Sequence, residues 1–328
     1  MTAVTQRSYG SVEELSVASV ERPVVDAEEV LIEVHAAGVD RGVWHLMTGL
    51  PYLVRISGFG FSRPKQPVPG LDVAGRVVAI GSDVTRFVEG DEVFGIADGA
   101  FAEYATASEI KLAHKPANLT FEQAAVATIS GITALQALTE VSEVGVGQDV
   151  LIIGASGGVG VYAVQLARAL GAEVTGVANA SKADFVRSLG ADDVIDYAAG
   201  DYLDGSRTFD LILDIGGRNS LRRLRRALKS SGTLVIVGGE GGNRWTGGFG
   251  RQLRALALSP FVSQRLTMLI SEEHHRWIDR LCEFLVDGSV VPVIDRAYRL
   301  DAAHDALTDL AEGRVSGKAV ISVRSAAN

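Results

Sequence analysis

Residues 150–160 read VLIIGASGGVG, an apolar run followed by a glycine-rich turn and the start of a second apolar segment. The run predicts a buried strand, and residues 159–170 predict the helix that follows the turn. Glycine at 157 lets the backbone approach a pyrophosphate, and the helix N-terminus offers N–H groups to phosphate oxygens. A turn kept only for tight packing is the alternative. We predict nucleotide contacts from Ala155, Ser156, Gly157, Gly158, Val159 and Gly160.

The segment after the second predicted strand indicates which dinucleotide binds. Sites for NAD carry an acidic residue about 20 residues after the glycine turn, where it binds the ribose hydroxyls. Residues 173–178 form the predicted strand here, and Asn179, Ser181 and Lys182 follow it without an acid. These side chains can donate to a 2′-phosphate, which a carboxylate would repel, and each such bond contributes about 1.5–3 kcal/mol. The sequence therefore favours NADP(H), although Lys182 also fits an ordinary surface lysine.

The character of the chain changes near residue 120. Before it, alternating apolar and polar residues at 29–35 and 73–80 predict strands of a β-rich unit. After it, short apolar runs alternate with helical patterns, which predicts an α/β fold on a parallel sheet. Thr120 and Gln123 form a predicted capping box at the start of the first helix. The last predicted elements are a helix at 272–286, a strand at 290–294, a helix at 301–312 and a strand at 319–323.

Composition excludes several classes of function. A formal net charge of −9 argues against nucleic-acid binding, which needs a basic surface. Residues 150–167 are uncharged, but their glycines indicate a strand, a turn and a helix rather than a membrane span. No apolar signal segment is visible near the N-terminus. The single cysteine, Cys282, excludes a cysteine-rich zinc site and fits a cytoplasmic location.

Several motifs occur in an order that resembles the medium-chain dehydrogenases/reductases. They are PGLDVAG at 69–75, GDEVFG at 90–95, ASGGVG at 155–160, QLA at 165–167, LGAD at 189–192, VIDY at 194–197 and GKAV at 317–320. The resemblance covers nearly the whole chain. It implies a GroES-like, β-rich catalytic domain at residues 1–120 and 271–328. This domain is split around a Rossmann cofactor domain, a doubly wound parallel sheet at 121–270, with the active site in the cleft.

The same resemblance implies coenzyme contacts elsewhere in the chain. NADPH-using quinone oxidoreductases hold the 2′-phosphate with a lysine after the second strand and a tyrosine closing the V-I-x-Y stretch, and Lys182 and Tyr197 match these positions. Thr133 resembles a threonine beside the nicotinamide. Each of these residues also has a purely structural interpretation. The remaining predicted coenzyme contacts are Arg41, Gly238, Gly239 and Lys318.

Zinc is not expected. Zinc dehydrogenases of the family carry a cysteine in an early G-x-C segment and a histidine in a G-H-E segment. The matching segments here are Gly-Val-Asp at 38–40 and Gly-Leu-Asp at 70–72. Catalytic zinc needs three nitrogen, sulfur or oxygen ligands, and Asp40, His45 and Asp72 are the remaining candidate set. Without zinc, no Lewis acid polarises the substrate, so positioned hydrogen-bond donors must do so.

The predicted reaction transfers a hydride from NADPH to a quinone or to the β-carbon of an enone. His45 is the leading candidate proton donor, because imidazole changes charge near neutral pH, and Asp40 is placed with it at the catalytic site. A structural histidine is the alternative. The other predicted functions are a zinc-independent alcohol or aldehyde reductase and a coenzyme-binding protein without turnover. We expect a homodimer, with residues 265–270 as a candidate edge strand, and a small-molecule substrate. Trp44, Tyr52, Phe59 and Phe61 are candidates to line its pocket beside an irregular loop at 54–69, and core packing is the alternative for each of them.

Overall fold

The computed structural model describes residues 1–239 and 242–324 and divides them into two units. The first unit contains Met1–Ile132, Glu273–Val286 and the described chain from Pro292 onward. The second unit contains Thr133–Glu272 and Asp287–Val291. The first boundary thus lies at residue 132 rather than at 120, because the helix that begins at Phe121 packs on strands of the first unit.

In the first unit most strands follow one another directly, and in the second unit α-helices separate most of the strands. The strands are β1 (Thr2–Thr5), β2 (Ser16–Ser19), β3 (Glu29–Val39), β4 (Asp72–Ile80), β5 (Glu92–Ile96), β6 (Tyr104–Ser108), β7 (Leu112–His114), β8 (Asp149–Ile153), β9 (Glu173–Ala178), β10 (Asp193–Asp196), β11 (Phe209–Asp214), β12 (Leu228–Ile236), β13 (Arg265–Met268), β14 (Ile294–Arg299) and β15 (Lys318–Ser322). The α-helices are α1 (Arg41–Thr48), α2 (Phe121–Ala125), α3 (Thr128–Gln136), α4 (Gly158–Ala169), α5 (Ala183–Ser188), α6 (Leu221–Arg226), α7 (Phe249–Leu258), α8 (His275–Val286) and α9 (Ala303–Ala311).

The first unit is built on a mainly antiparallel sheet with the order β14-β15-β3-β4-β5-β7, and β6 also pairs with β3. β3 is the central strand, and its Val30, Ile32 and Val34 are buried in the core. α2 begins with the predicted capping box: the Thr120 hydroxyl accepts from the Gln123 amide, and the Gln123 side chain accepts from the Thr120 amide. The GroES-like, β-rich fold predicted for this unit is confirmed.

The second unit is built on a parallel sheet with the order β10-β9-β8-β11-β12-β13. The strand order reverses between β8 and β11, which makes the carboxyl ends of these strands the switch point of a doubly wound sheet. β8 and β9 match the predicted strands closely because their apolar residues are buried. The Rossmann-like parallel sheet is therefore confirmed as well.

One predicted strand was wrong. Residues 290–294 are apolar, but the strand forms later, as β14. Pro292 has no N–H to pair, and both backbone groups of Val291 bind the Gln165 side chain of α4, at 2.8 and 3.1 Å. Gln165 thus occupies the hydrogen bonds that a sheet neighbour would need. In the described part of the chain, every helix is too short or too polar to cross a bilayer.

Candidate active site

A tight turn joins β8 to α4 in the second unit. Gly154 has φ +93°, a conformation that residues with a side chain rarely adopt. Its carbonyl accepts from the Gly157 amide at 3.0 Å, and Gly157 is the N-cap of α4. The next three amides, at residues 158–160, have no acceptor within the helix because they belong to its first turn. The turn therefore presents a row of backbone N–H groups suited to an anion.

Two glycines of this turn differ in what an added side chain would contact. A Cβ on Gly160 would lie 2.1 Å from the Gly154 oxygen, so this glycine is needed for the fold itself. A Cβ on Gly157 would meet the same oxygen at 3.4 Å, an ordinary contact, and its φ of −89° suits any residue. The fold therefore leaves room at Gly157 that a side chain would fill. We call this open space at Gly157 the cradle, and a pyrophosphate needs such a space to approach the backbone closely.

Polar groups gather where β9 ends. The Asn179 carboxamide oxygen accepts from the amide of Ser181 at 3.0 Å and from its hydroxyl at 2.9 Å. The Asn179 nitrogen lies 3.5 Å from the hydroxyl of Tyr197, whose side chain is about half exposed. Lys182 follows immediately and precedes α5. The structure thus brings together three of the four residues predicted to bind a 2′-phosphate and places the fourth next to them in sequence.

The ends of β11 and β12 lie beside the same turn. A Cβ on Gly238 would lie 1.8 Å from the Ile215 carbonyl oxygen, so the chain after β12 is pressed against the chain after β11. Gly239 follows, and its oxygen accepts from the Gly248 amide at 3.0 Å. A buried ion pair between Asp214 and Arg251 also lies here, and we did not predict it. An acid directly after the apolar run Leu211–Leu213 was the available signal.

In the first unit, α1 carries the predicted catalytic residues. Asp40 is its N-cap, and its Oδ1 accepts from the Val43 amide at 3.1 Å. Arg41 is the first residue of the helix and is half-buried. His45 lies one turn further on, and its Nδ1 is 2.9 Å from the Leu50 oxygen. A carbonyl only accepts, so Nδ1 carries a hydrogen, and His45 can deliver a proton from Nε2 only in its charged form.

Lys318 is held by a buried polar cluster with Asp72 and Ser130. Its ammonium group donates to the Ser130 hydroxyl at 3.0 Å and lies 3.6 Å from Asp72 Oδ2. Asp72 Oδ1 accepts from the Ile129 amide at 2.9 Å. Lys318 and Asp72 are almost completely buried, 1% and 0% exposed. This placement argues against the coenzyme contact predicted for Lys318, because its ammonium group is engaged inside the first unit.

The positions that match zinc ligands have other partners. Asp40 caps a helix, and Asp72 faces Lys318. Across residues 1–239 and 242–324, no three His, Cys, Asp or Glu side chains are grouped so that they could hold a metal ion. The candidate ligand set of Asp40, His45 and Asp72 is therefore not assembled as a site.

The remaining predicted contacts differ in exposure. Thr133 lies in α3 and is buried. Trp44 packs against the core of the first unit, and the Tyr52 ring centre lies 4.9 Å from the Arg55 guanidinium carbon. Phe59 and Phe61 are 47% and 80% exposed. Within the segment predicted as an irregular loop at 54–69, Arg55–Phe59 forms a kinked helical turn whose backbone is non-helical at Ser57 and Gly58.

Known proteins resemble both units. One family model, the alcohol dehydrogenase GroES-like domain, matches residues 26–117, and another, zinc-binding dehydrogenase, matches residues 189–321. The chain is 32% identical to a quinone oxidoreductase of Sus scrofa, over 98% of this chain and 97% of the relative. It is 31% identical to the 2-methylene-furan-3-one reductase of Solanum lycopersicum, over 98% of this chain and 79% of the relative. The crystal structure of Escherichia coli quinone oxidoreductase complexed with NADPH is 25% identical, with a TM-score of 0.83 and coverage of 98% and 100%.

The parallel sheet with its glycine turn and the GroES-like unit define a dinucleotide-dependent oxidoreductase scaffold. The chain belongs to the medium-chain dehydrogenase/reductase superfamily. Within that superfamily it lies in the quinone oxidoreductase-like branch.

Proposed function

We propose that the protein is a zinc-independent, NADPH-dependent oxidoreductase that transfers a hydride to a quinone, an enone or a similar activated carbonyl compound. The observation that carries this proposal is the open cradle at Gly157, which a Cβ would fill and which is followed by the first-turn amides of α4. The relatives named for quinone and enone reduction support the class of acceptor.

Different groups of the chain bind different parts of the coenzyme. The turn at residues 154–160 binds the pyrophosphate through backbone N–H groups and the positive end of α4. Asn179, Ser181, Lys182 and Tyr197 bind the 2′-phosphate of NADPH, because they provide donors and no carboxylate. Gly238 and Gly239 leave the backbone bare at the strand ends beside the turn. When bound, NADPH supplies the hydride.

His45 supplies the proton in this proposal. Negative charge develops on the substrate oxygen as the acceptor is reduced, and a charged imidazole both stabilises that oxygen and protonates it. The hydrogen bond from Nδ1 to Leu50 fixes the ring and leaves Nε2 as the proton-delivering atom. Asp40 stabilises the start of the helix that carries His45. We place Asp40 as a positioning residue, since its Oδ1 caps the helix.

The test is NADPH oxidation by protein treated with a chelator, measured in parallel with 1,4-benzoquinone, an enone and an aldehyde. We expect turnover with the first two acceptors. A His45→Asn variant should lose about 100-fold in kcat, the usual contribution of a general acid, and keep its Kd for NADPH. His304→Asn, at an exposed position of α9, is the control. Tight NADPH binding without oxidation by any acceptor would instead indicate a binding protein, and turnover of the aldehyde alone would indicate a reductase of another class.

The choice of coenzyme is tested by Lys182→Ala. Loss of one charge-assisted bond to the 2′-phosphate should raise the Kd for NADPH by about 10- to 100-fold and leave the Kd for NADH unchanged. Lys111→Ala removes a lysine that pairs with Glu273 in the first unit and serves as the control. Equal changes for both coenzymes, or none, would show that Lys182 does not bind the extra phosphate.

We also propose that the protein forms a homodimer in the cytoplasm. β13 lies at the edge of the parallel sheet, and no strand of the described residues pairs with its outer side, where the Leu266 amide donates to the Ser259 hydroxyl. The neighbouring helix α7 exposes three apolar side chains, Phe249, Leu253 and Leu256. An edge strand beside an apolar helix face suits pairing with a second copy. The single cysteine supports the cytoplasmic location.

A further inference from the structure

A buried ion pair joins the carboxyl end of β11 to the first turn of α7. Asp214 is the last residue of β11 and is completely buried, and the side chain of Arg251 is 11% exposed. Nη1 of Arg251 contacts Oδ2 of Asp214. Burial raises the pKa of Asp214 above its usual range, although Arg251 opposes the shift. Apolar side chains of similar volume often stabilise a fold as well as such a pair does, so stability alone does not explain it.

The pair fixes two chain segments besides α7. Arg251 Nη1 donates to the carbonyl of Asn219 at 2.9 Å, and Nη2 donates to the carbonyl of Gly238 at 3.2 Å. Asp214 Oδ1 accepts from the amide of Gly217 at 3.1 Å. The turn after β11, the end of β12 and the start of α7 are therefore held by two side chains.

The position of these segments connects them with the coenzyme. A dinucleotide lies across a doubly wound sheet at the carboxyl ends of its strands, on both sides of the switch point. The predicted 2′-phosphate contacts follow β9, on one side of β8. The Arg251–Asp214 pair lies on the other side, at the ends of β11 and β12. The half of the dinucleotide without the 2′-phosphate is the nicotinamide half.

We propose that Arg251 and Asp214 are positioning residues that hold the turns at Gly217 and Gly238 in the shape that receives the nicotinamide half of the coenzyme. The proposal rests on the coenzyme binding described under the proposed function. Both turns depend on bare backbone: Gly217 has φ +69°, and Gly238 has no space for a Cβ. Neither glycine has a side chain to fix its turn, and the ion pair adds side-chain hydrogen bonds to the backbone bonds already present there.

The test compares the Kd of NADPH with that of adenosine 2′,5′-bisphosphate, which lacks the nicotinamide, by titration calorimetry. Asp214→Asn and Arg251→Gln should each weaken NADPH binding by about 10-fold or more, since small displacements of binding groups have large effects. The bisphosphate should bind within about 2-fold of the unaltered protein, because its contacts lie on the β9 side. Thermal unfolding of each variant is measured alongside.

Lys229→Gln is the matched control, because Lys229 bridges the amino ends of the same sheet. Its Nζ lies 2.7 Å from Asp149 Oδ2 and 2.8 Å from Asp210 Oδ2. This variant should leave both Kd values unchanged even if it unfolds at a lower temperature. If Lys229→Gln weakened NADPH binding selectively, and by as much as the other two variants do, general weakening of the sheet would explain the effect. That result would overturn the proposal.

Arg251→Lys keeps the protein testable if the first variants fail to fold. It retains a cation beside Asp214 but loses the planar group that reaches two carbonyls, so it too should weaken NADPH selectively. Equal weakening of both ligands, or unchanged binding of both, would show that the pair does not position the nicotinamide half. Failure of the unaltered protein to bind NADPH would instead refute the proposed function.

Discussion

Replacing Gly157 with valine is expected to abolish coenzyme binding while the protein remains folded. The backbone conformation at 157 suits valine, and the nearest atom to a new Cβ is 3.4 Å away. The side chain would instead occupy the cradle in front of α4, where the pyrophosphate approaches the backbone. We expect the Kd for NADPH to rise by about 100-fold or more, which corresponds to about 2.7 kcal/mol. Titration calorimetry measures this change directly.

The fold supplies two comparisons for this variant. Valine is a poorer N-cap than glycine, so Gly157→Val should lower the free energy of unfolding by only about 1 kcal/mol. Gly160→Val should lower it by about 3 kcal/mol or more, because its Cβ would lie 2.1 Å from the Gly154 oxygen. Gly145→Ala has no atom within 4 Å of the new Cβ and should change neither quantity. Normal NADPH binding by Gly157→Val would refute the cradle.

Replacing Lys318 with methionine is expected to cause the largest loss of stability. The variant leaves the buried Asp72 carboxylate without the ammonium group that lies 3.6 Å away. Removing one partner of a buried ion pair lowers the free energy of unfolding by about 3–5 kcal/mol. We expect this loss at pH 8, measured by urea denaturation against the unaltered protein.

The same loss should depend on pH. Burial raises the pKa of Asp72 to about 7 even with Lys318 present, and without Lys318 it rises further. The folded state then binds a proton that the unfolded state releases, so stability increases as pH falls through the folded-state pKa. The stability deficit of Lys318→Met should therefore shrink between pH 8 and pH 5.

A double variant checks the cause. Lys318→Met combined with Asp72→Asn has no carboxylate at position 72, so this contribution to the pH dependence of its stability should disappear. A deficit in Lys318→Met of equal size at every pH would show that lost packing, rather than an unpaired charge, is responsible. An unchanged Kd for NADPH in Lys318→Met would agree with the structural role of this lysine.

Local patterns predicted most of the fold. β9 has the predicted bounds because its apolar residues, flanking turns and position in the alternation agree. The strand predicted at 290–294 failed because Gln165, far away in sequence, binds the backbone of Val291. No local pattern contains that partner. The predicted domain boundary near residue 120 differs from the observed boundary for the same reason, because tertiary packing decides which unit α2 joins.

The candidate site shows the same contrast between contacts within one segment and contacts between distant segments. The glycine turn and the arrangement of Asn179 and Ser181 after β9 were predictable because one short segment contains each of them. The Asp72–Lys318 and Asp214–Arg251 pairs were not, because their partners come from distant segments and only the folded chain brings them together. Charged residues in apolar stretches were the signal, and it indicates burial without naming the partner.

Titration calorimetry of NADPH and NADH with the unaltered, metal-free protein tests the central claim most directly. We propose that uncharged and cationic donors after β9, where Asn179 and Tyr197 are in contact, hold an extra phosphate on the coenzyme. This arrangement predicts that NADPH binds at least about 10-fold more tightly than NADH. Equal affinities would contradict the assignment of NADPH, and tighter binding of NADH would reverse it.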